Sequence, residues 1–192
     1  MITPTASEGL IKPMVLPFAH PLDEFYSQAG MRLPRIEVIS GPSVPEPYQQ
    51  LLVHEGDMTP TLEKFHGETI YLEVIRREKT ENCYCRQVLL LTEKSKKPVE
   101  FGAIKIFLDQ FPVSARNDIL SERLPLGTIL GRCKIEHFSR PKAFVKIESD
   151  AYINQAFGLD GTKILYGRRN TLSNPHQFAL AEIFEILPPH HS

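Results

Sequence analysis

The stretch ETIYLEVIRREKTENCYCRQVLLLTEKSKKPVEFGAIKIFLD, Glu68 to Asp109, decides how the chain is built. Upstream of it, apolar residues recur at helical spacing; within it the period is two. ETIYLEVIRREK, CYCRQVLLLT and VEFGAIKIFLD are rich in branched and aromatic residues, and KTEN and EKSKKP separate them as polar, turn-like stretches. Connections this short join antiparallel neighbours, because a parallel return needs a crossover of a dozen residues or more. Three successive antiparallel strands are therefore predicted here.

The flanking segments extend that kernel. PLDEFYSQAG (21–30) has proline and two acids early and glycine at its end, the polarity of a short helix. Two further helical pieces fall between 41 and 68, one over Pro47 to His54 and one starting after Asp57 or Thr59, with Gly56 and Gly67 as their ends. FPVSARNDILSER and PLGTILGR read as helical pieces opened by Pro112 and Pro125. FVKIES (144–149) reads as a strand, and DAYINQAFG as a short helix closed by Gly158. TKILYGRRNTLS and FALAEIFEIL, joined by SNPHQ, read as the last two strands. Helices come first and mostly strands follow, without alternation. That order predicts an α+β fold, an antiparallel sheet of about six strands with helices on one face. Residues 1–20 read as an irregular, proline-punctuated arm, and 1–192 as a single domain.

Composition narrows the function classes. Hydrophobic residues make up 42% and charged residues 23%, as in ordinary globular proteins. With 22 basic and 23 acidic residues the formal net charge is -1. No broad basic field is implied, so neither nucleic acid nor an anionic membrane is an expected partner, while small anions remain open. No signal peptide and no apolar run of membrane-spanning length is found. Cys83, Cys85 and Cys133 form neither a CxxC pair nor half of a paired zinc site, and read as reduced thiols of a cytoplasmic protein. His54 and His66 lack the spacing of metal ligands and the other histidines are scattered, so no metal is expected. GxSxG, Walker A and GxGxxG are all missing.

Charges on inward faces are the informative residues. In FALAEIFEIL the positions Phe178, Leu180, Glu182, Phe184 and Ile186 share a face. An unpaired carboxylate in such a row is either costly or held neutral, so Glu182 needs a partner or a role. Arg76 ends the row Ile70, Leu72, Val74, and Arg86 shares a face with Tyr84, Val88 and Leu90. Of the adjacent Arg168 and Arg169, one faces inward in any register. One reading is a buried ion-pair network centred on Glu182. The other follows from the surplus of arginines: a small, largely apolar pocket for a carboxylate-bearing ligand, such as a hydroxylated aromatic acid. Leu126 and Gly127, just after Pro125, offer backbone N–H groups at a helix start, and Met58 offers a flexible apolar face for a ring. Each is equally readable as an ordinary helix start or core residue.

MTPTLE, VIRRE, YCRQVLLL, PVEFGAIKI, PLGTIL, YGRRN and LAEIFEILP occur in this order between Met58 and Pro188. Together they resemble the chorismate lyase (chorismate–pyruvate lyase) superfamily, in the branch outside the proteobacterial quinone-pathway enzymes. The chain departs from those enzymes in its longer proline-rich N-terminus and in its HGE and PVEFGAI segments. The resemblance implies helical flaps over a buried ligand pocket and a carbon–oxygen lyase. It would eliminate pyruvate from chorismate without a cofactor, giving 4-hydroxybenzoate. Arg76 would hold the ring carboxylate and Arg86 the second one. Leu126 would add backbone contacts, Met58 would lie in the flap, and Glu182 would meet the ring hydroxyl. Such chemistry asks mainly for a fixed conformer and balanced charge, with Glu182 accepting a hydrogen bond or relaying a proton. A different hydroxybenzoate product, such as the 3-hydroxy isomer, is one alternative. A non-catalytic aromatic-acid binder is the other, because the fold is related to the UTRA ligand-sensing domains of bacterial transcription regulators. Oligomeric state is open.

Overall fold

A computed structural model describes residues 17–190 of the chain. Among the described residues there are six α-helices: α1 Leu22–Gln28, α2 Tyr48–Leu52, α3 Met58–His66, α4 Val113–Leu120, α5 Leu126–Arg132 and α6 Ala151–Phe157. The strands are β1 Arg35–Ile39, β2 Ile70–Lys79, β3 Cys83–Thr92, β4 Pro98–Phe107, β5 Phe138–Glu148, β6 Ile164–Ser173 and β7 Ala179–Leu187. All seven form one open antiparallel sheet in the order β1-β5-β6-β7-β4-β3-β2. The stretch 68–109 supplies β2, β3 and β4, each paired with the next. The C-terminal strand β7 then inserts between β4 and β6, at the centre of the sheet.

Seven strands replace the expected six because β1, RIEVI, carries almost no signal. It is a five-residue edge strand with no fully buried residue, and its Val38 is 57% exposed. Its isoleucines are only partly buried, Ile36 toward one layer and Ile39 toward the other, so this edge strand has no continuous apolar face to read. β5 also starts earlier than FVKIES: the register shifts between Pro141 and Ala143, which lets a proline sit inside the strand.

The expectation of helices on one face is corrected: they cover both. On one side α1 and α6 pack against Phe101, Ala103, Val145, Leu165, Phe184 and Ile186. On the other, α2 and α3 cover Leu72, Val88 and Leu90, while α4 and α5 cover Tyr84, Ile104, Ile106 and Leu172. The cause lies in the central strands. β4 places Phe101 and Ala103 on one side and Ile104 and Ile106 on the other, so both sides are apolar and both need a layer above them. Residues 1–16 of the expected arm lie outside the described residues; Phe18–Pro21 form a turn that buries Ala19 and His20. Among the described residues no helix is long and apolar enough to cross a membrane.

Candidate functional site

A cavity of about 60 Å³ lies on the α2–α5 side, between the sheet and the first turns of α3 and α5. Its floor is Val88 and Leu90 of β3, Gly102 and Ile104 of β4, and Ile183 of β7. Met58, Thr59, Leu126 and Gly127 roof it. The roof closes where the two helix starts touch: a side chain at Gly127 would begin 3.4 Å from Thr59 Oγ1. The floor stays bare at its middle because a Cβ on Gly102 would lie 2.7 Å from the Phe184 carbonyl oxygen.

Arg86 is the unusual wall residue. It is 2% exposed, and its Nη2 donates to the Leu124 carbonyl at 3.3 Å. Its Nε and Nη1 are buried without a hydrogen-bond partner among the described residues. Burial pulls its pKa below the usual guanidinium value, opposed by Tyr84 and Glu122 nearby. Glu122 is itself occupied, accepting from Arg77 and from Tyr84. Arg86, a wall residue of the cavity, thus keeps two donors with no acceptor among the described residues.

Two carboxyl groups border the same space. Glu185 pairs with Arg168, directly opposite it on β6, and both are buried. Arg168 also donates to the carbonyls of Leu52 at 3.2 Å, His54 at 3.1 Å and Gly56 at 3.3 Å. Its charge and its donors are spent on Glu185 and on the α2–α3 loop. Glu100 has no such partner: it is 4% exposed and its Oε2 is buried and unbonded among the described residues. Burial first, and the Glu185 carboxylate second, push its pKa well above the usual carboxylate value. Asn170, another lining residue, donates to Ser139 Oγ at 2.9 Å, and its buried Oδ1 has no partner among the described residues.

Of the residues singled out from the sequence, Met58, Arg86, Leu126 and Gly127 line the cavity. Arg168 faces inward but serves the loop and Glu185. Arg76 and Glu182 lie elsewhere. The β2–β3 register shifts between Val74 and Arg76, and this bulge reverses the alternation beyond it. Arg76 therefore leaves the row of Leu72 and Val74, is exposed, and sits 5.4 Å above the Tyr152 ring. Arg77 stands opposite Arg86 instead, held by Glu122.

Glu182 is on the α1–α6 side of the sheet. It accepts from Thr171 Oγ1 at 2.9 Å and from Arg169 Nη2 at 3.4 Å, so its counterion is Arg169 rather than Arg76 or Arg86. The carboxyl groups at the cavity are Glu185, three residues on and hence on the other side of β7, and Glu100. Neither was singled out, although Glu100 shares its side of β4 with Gly102 and Ile104 in the sequence pattern itself.

Asp57, immediately before α3, is tied to His137, the residue before β5. His137 Nε2 meets both carboxylate oxygens of Asp57, at 2.9 and 3.0 Å, while its Nδ1 meets the Ile135 carbonyl at 2.9 Å. Both ring nitrogens face acceptors, which only the doubly protonated ring satisfies. The Asp57 hydrogen bond accordingly raises the His137 pKa.

Comparison with known proteins gives the fold its relatives. No protein-family model and no curated protein matches the chain. Among solved structures, the effector domain of PhnF from Mycobacterium smegmatis superposes with a TM-score of 0.53 at 11% identity, covering 71% of this chain and 96% of that one. PhnF itself gives 0.53 at 10% identity, over 89% and 94% of the two chains. The ligand-binding domain of a protein assigned to the GntR family of transcriptional regulators, from Bordetella bronchiseptica, gives 0.50 at 8% identity, over 64% and 87%. Identities this low establish the fold alone, which is UTRA-like.

Proposed function

We propose that this chain binds a small aromatic carboxylic acid in the cavity between the sheet and the starts of α3 and α5, as a ligand-binding module rather than a catalyst. The observation that carries this reading is Arg86, a buried guanidinium with two unpartnered nitrogens at the cavity wall. A buried cation left alone is destabilising by several kcal/mol. A carboxylate offers two acceptors in the geometry of the guanidinium fork and removes that penalty. The apolar floor of Val88, Gly102 and Ile104 suits a flat ring. An apolar cavity of about 150 Å³ is known to hold benzene, against about 60 Å³ here, so binding a ring requires α3 and α5 to part.

Charge favours a binder of monoacids. With Arg76 on the far side of the sheet and Arg168 saturated, Arg86 is the single uncommitted guanidinium lining the cavity among the described residues. Chorismate brings two carboxylates and would leave one without a cation. The likeness to regulator ligand-binding domains supports the same direction at the level of fold.

The second reading is chorismate lyase, with 4-hydroxybenzoate or its 3-hydroxy isomer as product. It is favoured by Met58, Arg86, Leu126 and Gly127 meeting at one cavity. In that case Glu185 or Glu100, not Glu182, is the carboxyl that reaches the substrate. One experiment separates the two. Calorimetric titration with benzoate and both hydroxybenzoates should give saturable binding that Arg86→Gln abolishes. Incubation with chorismate should release no pyruvate above the spontaneous rate. Arg86-dependent pyruvate release would establish the lyase, and a folded protein that binds none of the acids would end the binding reading.

A further inference from the structure

We propose that Glu100 is the specificity-determining residue of the cavity: a carboxyl that keeps its proton and donates it to an uncharged oxygen of the ligand. The cavity then takes monoacids bearing a hydroxyl or carbonyl and turns diacids away. The proposal rests on the reading of the cavity as an aromatic-acid site and names what it recognises at the end away from Arg86.

The sheet register sets the two poles. Arg86 stands opposite Ile104, and Glu100 stands opposite Leu90, on adjacent antiparallel strands and on the same side. Four residues along a strand separate their Cα atoms by about 14 Å. The Glu100 carboxyl lies over Gly102, its Oε1 3.4 Å from the position a Gly102 Cβ would take, and the span from there to Arg86, above Val88, is where a ring would sit once α3 and α5 part. Gly102 contributes no side chain to fill it, and the Phe184 carbonyl leaves no space for one.

The protonation follows from what surrounds Glu100. Its neighbouring charges are Glu185 and Arg168, and these two already form a pair. Every nitrogen of Arg168 is engaged: Nε with Glu185, Nη1 with the Leu52 and His54 carbonyls, Nη2 with the Gly56 carbonyl. Among the described residues Glu100 has neither a cation nor a donor of its own, and beside it stands a carboxylate. A second buried negative charge there is strongly unfavourable, so the group holds its proton. A neutral carboxyl carries an O–H that needs an acceptor. The protein supplies none to Oε2 among the described residues, and the group borders the cavity. A hydroxyl or carbonyl oxygen on the ligand completes it. A second carboxylate at this end would face Glu185 with no free cation.

The test compares benzoate, 4-hydroxybenzoate and terephthalate on the full chain, as wild type, Glu100→Gln, Glu100→Leu and Arg86→Gln. Wild type should prefer 4-hydroxybenzoate to benzoate by about tenfold, and bind terephthalate more weakly than either. Glu100→Gln, whose amide also donates, should keep the preference, while Glu100→Leu should erase it. Calorimetry of the wild type near neutral pH, repeated in buffers of different ionisation enthalpy, should show no proton released on binding 4-hydroxybenzoate. Terephthalate bound as tightly as 4-hydroxybenzoate, a preference that survives Glu100→Leu, or a released proton would overturn the proposal. Acids that bind through Arg86 and ignore position 100 defeat this inference alone. Acids that do not bind the wild type at all, or that bind Arg86→Gln equally well, defeat the underlying reading with it.

Discussion

Arg168 and Glu185 stand directly opposite each other on β6 and β7 and form a buried ion pair that also ties down the loop between α2 and α3. Removing one partner leaves the other charged, buried and alone. Glu185→Gln should therefore lose about 3–5 kcal/mol of unfolding free energy, whereas replacing both residues with apolar ones of similar size should lose much less. Urea denaturation of the single and double variants checks this. A single variant within about 1 kcal/mol of wild type would mean the pair is not what holds the loop.

Arg86 presents the opposite case, a buried charge with no carboxylate of its own. Arg86→Leu should raise the stability of the unliganded protein by about 1–3 kcal/mol, because an apolar side chain replaces a desolvated cation. The same change should abolish binding of aromatic acids. Thermal unfolding with and without 4-hydroxybenzoate reads both effects together. A destabilised Arg86→Leu protein would show that the guanidinium serves the core.

Close approach of the backbones at β6 and β7 gives a sharper contrast. A Cβ on Gly167 would sit 2.3 Å from the Glu185 carbonyl oxygen, inside backbone that cannot give way. Gly131, exposed in α5, has nothing within 4 Å of the same position. Gly167→Ala should cost at least about 2 kcal/mol by overpacking, and Gly131→Ala should gain about 0.5–1 kcal/mol by removing backbone freedom from a helix. Chemical denaturation of the two variants side by side tests the pair.

These relationships also explain what the sequence could convey. The period of two in 68–109 was enough to place β2, β3 and β4, because their apolar residues pack under helices. β1 carries little signal because three of its five side chains are exposed at the sheet edge. For the charged residues, alternation separates the two sides of a strand but does not say which side holds a cavity. In this sheet both sides are covered, so Glu182 and Glu185 are each buried, on opposite sides of β7. Glu182 is the inward residue of its row and, with Phe184 and Ile186, faces the α1–α6 side. Arg76 was misplaced for a different reason: a single bulge reverses parity, and its position is fixed by strand pairing rather than by local composition. Arg86, on a strand without a bulge before it, was read on its true side.

The His137–Asp57 contact makes stability depend on pH in a direction that can be stated. The folded pKa of His137 is raised above its ordinary value of 6.5, with the Asp57 hydrogen bond as first cause. A group raised in the folded state contributes fully below its unfolded pKa and loses that contribution as pH climbs through the folded value. His20, His54 and His66 are lowered, mainly by burial, and their contribution has the opposite sign, fading as pH falls. The difference between wild type and His137→Gln isolates the first effect from the others. That difference should be largest at about pH 5.5 and shrink steadily above the ordinary histidine range, and Asp57→Asn should remove its pH dependence. Urea midpoints measured for the three proteins across this range decide it. A difference that grows with pH would mean that His137 sits neutral against Asp57 and that the start of α3 is held by other contacts.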